Sequence, residues 1–109
     1  MISYDDFERV DVRVGRIARA EPFAAARKPA YKLWIDFGPL GTRRSSAQIT
    51  RHYALAALPG KLVVAVVNFQ PKQIADFMSE VLVLGIPDAD GEVVLLAPDA
   101  DVPIGNRMF

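Results

Sequence analysis

The sequence contains no cysteine. That excludes disulfides, thiolate metal sites and cysteine nucleophiles, and it fits a cytoplasmic setting. Histidine is almost absent: His52 stands alone, and a lone histidine in a stretch of helical pattern is more often structural than a general base. No apolar run approaches the roughly 18 residues of a membrane span, so no membrane insertion is expected. The opening MISYDDFERV has neither a basic n-region nor an apolar h-region, so it does not read as a signal peptide. Glycine-rich phosphate loops of the P-loop or dinucleotide type are missing. Ser45 and Ser46 have no base nearby in sequence, and Asp88 with Asp90 reads as a solvated turn rather than a metal site. The sequence offers no positive argument for an enzyme, and neither a cofactor nor a metal is expected.

Net charge is also absent, but the balance hides a separation along the chain. Residues 9–72 carry twelve of the thirteen basic side chains against three acids, a net +9. Residues 73–109 carry seven acids against Arg107, a net −6. A basic central segment is the footprint of a domain that meets a large anion, nucleic acid being the commonest. The competing reading, equally weighted on charge alone, is that the charges mix again in three dimensions.

What is present in abundance is apolar residues, 51% of the 109. A chain of this length reads as one domain, residues 1–109, with a small core to which oligomerisation would add burial. Ser3 followed by Asp6 resembles a capping box and predicts a short helix over about Tyr4–Arg9. Val10, Val12 and Val14 alternate with Arg9, Asp11 and Arg13, and the apolar parity switches to Ile17 after Gly15, which predicts a strand with a bulge or bend at that glycine. Glu21–Ala30 reads as a loop. Tyr31, Leu33, Ile35 and Phe37 form the apolar face of a second strand, joined through Gly38, Pro39 and Gly41 to a third over Thr42–Ile49. Thr50 is expected to cap a helix running to Leu58, stopped by Pro59-Gly60. Leu62–Val67 reads as a strand buried on both faces. Asn68–Ser79 reads as irregular, with a helical turn around Ile74–Phe77. Val81–Leu84 and Val93–Leu96 are further strands about a turn at Asp88–Gly91. A sandwich remains open, but an all-β Greek-key barrel of the OB type with short helices fits better, because a helix falls between the third and fourth strands and the first strand bends.

On that reading the second and third strands and the preceding loop form the oligonucleotide face. Arg27, Lys28, Lys32, Arg43 and Arg44 fall there and would meet phosphates. Trp34 or Phe69 would offer a base-stacking platform, although Trp34, in phase with Lys32 and Asp36, fits a subunit interface equally well. Asn68, Lys72, Gln73 and Ser79 are polar groups bracketed by apolar runs. They would bond bases or phosphates, or, for Asn68 and Ser79, only satisfy loop backbone groups. Phe77 and Met78 are expected to be partly exposed. With Trp34 and Phe69 they are the candidates for gripping apolar peptide.

The segments FERVDVRVGRI, ARKPAYKLWIDFG, SSAQIT, VVNFQPKQIADFMSEVLVLG and VVLLAPDADVPIG, in that order, resemble the CsaA proteins. These belong to the wider family of tRNA-binding domains, which includes the C-terminal appendage of many methionyl-tRNA synthetases. The resemblance spans about Phe7 to Arg107. It implies an OB-fold, a homodimer built from terminal segments, and binding without catalysis. Its partners would be tRNA, recognised by shape, or, as the alternative, unfolded or exported polypeptides held by a secretion chaperone. It maps the binding surface onto Arg13, Ser45, Ser46, Gln48, Asn68, Lys72 and Ser79. The stretch Asp76–Leu82 departs from the synthetase appendages, with Asp76 in place of a glycine. Asp76 and Glu80 are therefore expected to add negative charge near the phosphate path.

Overall fold

The computed structural model describes residues 1–109. Helix α1 spans Tyr4–Glu8. The Ser3 hydroxyl accepts the Asp6 amide at 3.2 Å, and the Asp6 carboxylate accepts the Ser3 amide at 3.1 Å, so the anticipated capping box forms. The helix buries nothing and lies outside the barrel.

Strands β1 (Val12–Pro22), β2 (Tyr31–Asp36) and β3 (Thr42–Ala47) form a meander, followed by β4 (Leu62–Val66). A short β5–β6 hairpin (Lys72–Ile74, Phe77–Ser79) precedes β7 (Leu82–Val83), and a β8–β9 hairpin (Gly85–Pro87, Val93–Leu95) follows it. The main sheet is antiparallel in the order β3-β2-β1-β4-β7. β1 serves both halves: Val12–Arg16 pair with β4, and Arg16–Pro22 pair with β2. The barrel nearly closes where the Arg44 carbonyl of β3 accepts the amides of Glu80 and Val81 at 2.8 and 3.3 Å. This is the expected OB-like, mostly β barrel.

The core follows the alternation of β2. Leu33, Ile35 and Phe37 are fully buried with Ile17, Ile49, Leu58, Val63, Ala65, Val81 and Leu95. The bulge in β1 is not at Gly15. Register shifts between Ile17 and Arg19, while Gly15 sits in regular pairing opposite Val63. Gly15 is required for a close approach: a Cβ there would stand 2.6 Å from Ile35 Cγ2 and 2.8 Å from the Phe37 ring. The parity switch itself is real, since Val12 and Val14 are buried on one face and Gly15 and Ile17 on the other. Beside Val12 and Val14 runs the tail. Gly105 N donates to Val14 O at 2.8 Å, Val14 N to Asn106 O at 3.1 Å, and Met108 N to Val12 O at 2.7 Å.

Two helical expectations fail. Between β3 and β4 there is only a 3₁₀ turn, Leu55–Ala57, and Thr50 does not cap it. Tyr53 overrides the local pattern. Its carbonyl accepts from the Tyr31 hydroxyl at 2.8 Å, its own hydroxyl accepts the Leu95 amide at 2.9 Å, and Ala54 beside it is extended. Tertiary hydrogen bonds thus outweigh a marginal helix propensity. Replacing Tyr53 by phenylalanine strands the Leu95 amide, whose residue is buried. The expected loss is about 1–3 kcal/mol. A thermal melt superimposing on wild type would contradict this account.

The helical turn anticipated at Ile74–Phe77 is instead the two-residue loop of the β5–β6 hairpin, with Ala75 at φ +50°. No glycine or asparagine marks this turn. Phe77 fixes it from the far side by packing against Phe23 and Trp34. The anticipated turn at Asp88–Gly91 does close a hairpin, and β8 is its unforeseen first strand.

Candidate nucleic-acid interface

Strand register assembles the outer face of β1–β2–β3. Arg19 pairs with Trp34 and Glu21 with Lys32, while Trp34 lies opposite Arg44 and Lys32 opposite Ser46. The β5–β6 hairpin folds against this face. The Phe77 ring meets Phe23 at 5.5 Å and Trp34 at 5.8 Å, both edge-on. Cations stack over the rings: Arg19 lies 4.3 Å from the Trp34 centroid, Lys32 lies 5.0 Å from Phe23, and Arg44 lies 5.4 Å from Phe77. Each contact contributes about 0.5–1 kcal/mol at such half-open sites.

This arrangement corrects the expected exposure of Phe77, which is 4% exposed and plugs a small cluster with Phe23 and Ala30. Met78 is half-buried, as is Trp34, whose ring is covered by a guanidinium. Phe69, 52% exposed, is the open aromatic of the four peptide candidates. A second correction concerns Ser45. It is fully buried, its hydroxyl donates to the Ser46 carbonyl, and it cannot touch a macromolecule. Its position opposite inward-facing Leu33 is the physical reason.

The acids anticipated to interrupt the basic face do so by pairing. Asp76 lies 3.9 Å from Lys32. Glu80 lies 3.3 Å from the Arg44 guanidinium and also accepts the Arg44 amide at 2.9 Å. Arg19 pairs with Glu21, and Arg9 lies 3.8 Å from Asp6. Arg13 turns to the tail: it pairs with Asp11 at 2.7 Å and donates to the Gly105 carbonyl at 2.9 Å. Five of the twelve cations between residues 9 and 72 are therefore matched by a carboxylate within 4 Å. Charge mixing in three dimensions is substantial, as the competing reading of the charge separation required.

Arg16, Arg27, Lys28, Arg43, Arg51, Lys61 and Lys72 have no such carboxylate. Lys72 joins Ser46, Phe69 and Ser79 in one hollow of about 340 Å³, with Glu80 and Leu82 on its rim. Ser79 there is partly committed, since its hydroxyl accepts the Ser46 amide at 3.1 Å. Asn68 lies outside that hollow. Its side chain accepts the Asp11 amide at 2.9 Å and donates to the Arg9 carbonyl at 2.8 Å, tying the exit of β4 to the entry of β1. The backbone-satisfying alternative describes Asn68 and Ser79.

A larger groove, about 570 Å³, lies between the β1–β2 loop, the segment after β3 and the β8–β9 hairpin. Lys28, Gln48, Thr50, Arg51, Gly91 and Glu92 line it. Arg27 lines a neighbouring hollow with Phe23 and Thr50. Arg51 had no place among the sequence candidates. Only its juxtaposition with Lys28 across the groove singles it out. Behind the groove, His52 Nε2 lies 2.6 Å from Asp88 Oδ2. Asp88 Oδ1 accepts the amides of Asp90 and Glu92, both at 2.9 Å. The Glu92 amide first, and then His52, hold the Asp88 carboxyl below its ordinary 3.8. His52 is thus a clasp between two loops. No group of three or more His, Asp or Glu side chains is placed to hold a metal ion.

Comparison with known proteins fits this geometry. The family described as "Putative tRNA binding domain" matches residues 12–107. The chain is 51% identical to the chaperone CsaA of Bacillus anthracis, with a TM-score of 0.93 over 100% of this chain and 99% of that one. It is 53% identical to the CsaA chaperone protein of Picrophilus torridus, again with a TM-score of 0.93, over the whole of both chains. It is 39% identical to the methionine–tRNA ligase of Thiobacillus denitrificans over 98% of this chain, which spans 16% of that protein's length.

Proposed function

The chain belongs to the tRNA-binding-domain family, and from that premise we propose that it captures tRNA through the cations its own carboxylates leave free, without catalysing a reaction on it. The match over residues 12–107 carries this reading, because it takes in the whole barrel and both cation-bearing hollows. Arg27, Lys28, Arg51 and Lys72, which line the hollows, are the phosphate contacts, and Gln48 and Ser46 are neutral partners beside them. Arg43 is left out, because it stands opposite buried Ile35 on the same parity of β3 as Ser45. Recognition is by backbone charge and shape, with few base-edge contacts. About four phosphate contacts give a slope of log K against log salt near −3, so affinity falls by roughly two orders of magnitude between 50 and 200 mM salt. Titration of tRNA across that range tests this. Salt-insensitive binding, or no binding at low salt, would overturn the proposal.

A second copy of the chain completes the molecule in this reading. Val14, Val64, Leu96, Val102, Met108 and Phe109 line an apolar hollow of about 460 Å³, and Phe109 is fully exposed. An open apolar patch of this kind favours a partner surface. A cytoplasmic location follows from a tRNA partner, and no helix is long and apolar enough to cross a membrane.

The alternative, a peptide holdase, is favoured by the open apolar rim of the smaller hollow, where Phe69 and Leu82 are about half exposed beside Ile74 and Val81. The CsaA relatives are described as chaperones. Phe69 and Met78, not buried Phe77, are the residues whose truncation separates this activity from folding. Because Lys72 and Phe69 share that hollow, tRNA should compete with a bound peptide.

A further inference from the structure

We propose that the groove between the β1–β2 loop, the segment after β3 and the β8–β9 hairpin is a subsite for one ribonucleotide, in which Lys28 and Arg51 hold a backbone phosphate and Glu92 accepts a hydrogen bond from the ribose 2′-hydroxyl. The inference rests on tRNA capture and adds to it a means of telling RNA from DNA.

Three observations meet at this place. The first is a pair of cations brought to one groove from two different loops, with no carboxylate within 4 Å. The outward cations of β2 and β3, Lys32 and Arg44, are by contrast matched by Asp76 and Glu80. The second is the volume of about 570 Å³, which lies in the roughly 300–1,000 Å³ range of small-ligand sites. The third is Glu92, the one acid on the groove lining. A carboxylate in a groove that served only phosphate would weaken it, since like charges repel. An ionised carboxylate can only accept hydrogen bonds, so it needs a donor on the ligand. Ribose offers one at the 2′ position, and deoxyribose does not. Gln48 and Thr50 add neutral donors and acceptors for the attached base.

The walls are held together. Arg51 precedes His52, which meets Asp88. Asp88 in turn fixes Glu92 by accepting its amide at 2.9 Å, and Asp88 N donates to Glu92 O at 2.8 Å. One clasp therefore ties the segment that carries Arg51 to the hairpin that carries Glu92. These ties run through backbone atoms and through His52 and Asp88, so the side chains of Arg51 and Glu92 are free for a ligand.

The test compares a tRNA with a DNA hairpin of the same sequence, titrated at several salt concentrations. Wild type is expected to favour RNA. Lys28→Ala and Arg51→Ala should each weaken tRNA binding about tenfold and reduce the magnitude of the salt slope by about one. Glu92→Ala should strengthen DNA binding, by removing a negative charge, without strengthening RNA binding, so that the RNA-to-DNA preference falls about fivefold or more. Glu92→Gln, which keeps an acceptor, should restore part of the preference. An unchanged salt slope in Lys28→Ala and Arg51→Ala, or an unchanged preference in Glu92→Ala, overturns the subsite while leaving tRNA capture standing. Wild-type protein that binds no tRNA overturns both. Thermal melts of all four variants should match wild type, because none of these side chains carries a core contact.

Discussion

Valine at position 15 is expected to abolish the cooperative barrel, and alanine to lower its melting temperature by about 5–20 °C. Gly15 is buried within the β1–β4 ladder, in the strand that joins the two halves of the sheet. Its backbone is ordinary strand, so the penalty is one of space. The first added carbon would stand 2.6 Å from Ile35 Cγ2 and 2.8 and 2.9 Å from two carbons of the Phe37 ring. Neither neighbour is a flexible chain end: one is a β-branched methyl, the other a ring, and both residues are wholly buried. Overpacking of this kind costs about 1–3 kcal/mol for one methyl. Two more methyls approach the about 5–15 kcal/mol that holds a domain folded. Thermal unfolding followed by circular dichroism decides the matter. A melting point for Gly15→Ala within 2 °C of wild type would show that the core yields where the geometry says it cannot.

The second large effect is expected at Gly105, where alanine should lift the tail from β1 while leaving the barrel folded. Gly105 has φ +92°, and a Cβ would approach the Phe37 carbonyl oxygen to 2.5 Å and Pro39 Cδ to 3.2 Å. Left-handed strain alone costs about 1–2 kcal/mol for a residue with a side chain. The oxygen cannot retreat easily, because the Phe37 amide is bonded to Gly41 at the neck of the β2–β3 hairpin. Losing this seat removes the bonds from Gly105 to Val14 and from Met108 to Val12, together with the Arg13 contact to the Gly105 carbonyl. Hydrogen exchange should then show the amides of the new alanine and of Met108 unprotected while those of β2 remain slow. If the tail forms the edge of a dimer, light scattering should report a monomer for the same variant. Retained protection at Met108 would refute the tail's dependence on this glycine.

Local pattern made some of this legible and tertiary contact hid the rest. Tyr31, Leu33, Ile35 and Phe37 announced β2 because a half-buried strand has a period of two and nothing competes with it. The capping box at Ser3 and Asp6 was legible because both partners lie within one turn. The segment after Thr50 misled because its alanines and leucines favour helix, whereas two hydrogen bonds of Tyr53 to β2 and β9 hold it open. Ser45 belonged to a motif that pointed to binding, yet the parity of β3 already placed it opposite Leu33. Arg51 and Glu92, 41 positions apart by their numbers, could not be associated without the fold. The charge count left both readings open for the same reason, since it cannot see Glu80 reach Arg44.

The pairing of the tail with β1 has a consequence for how the chain avoids sticking to itself. Arg13 and Gly105 meet across 92 residues of sequence, the kind of contact that folding makes late. Until it forms, the start of β1, where Val12 and Val14 flank Arg13, has open amides and carbonyls on one side. The unpaired backbone of a bare strand edge is a template for another molecule's strand. The last residues occupy that edge themselves, and so convert a site of aggregation into part of the native sheet.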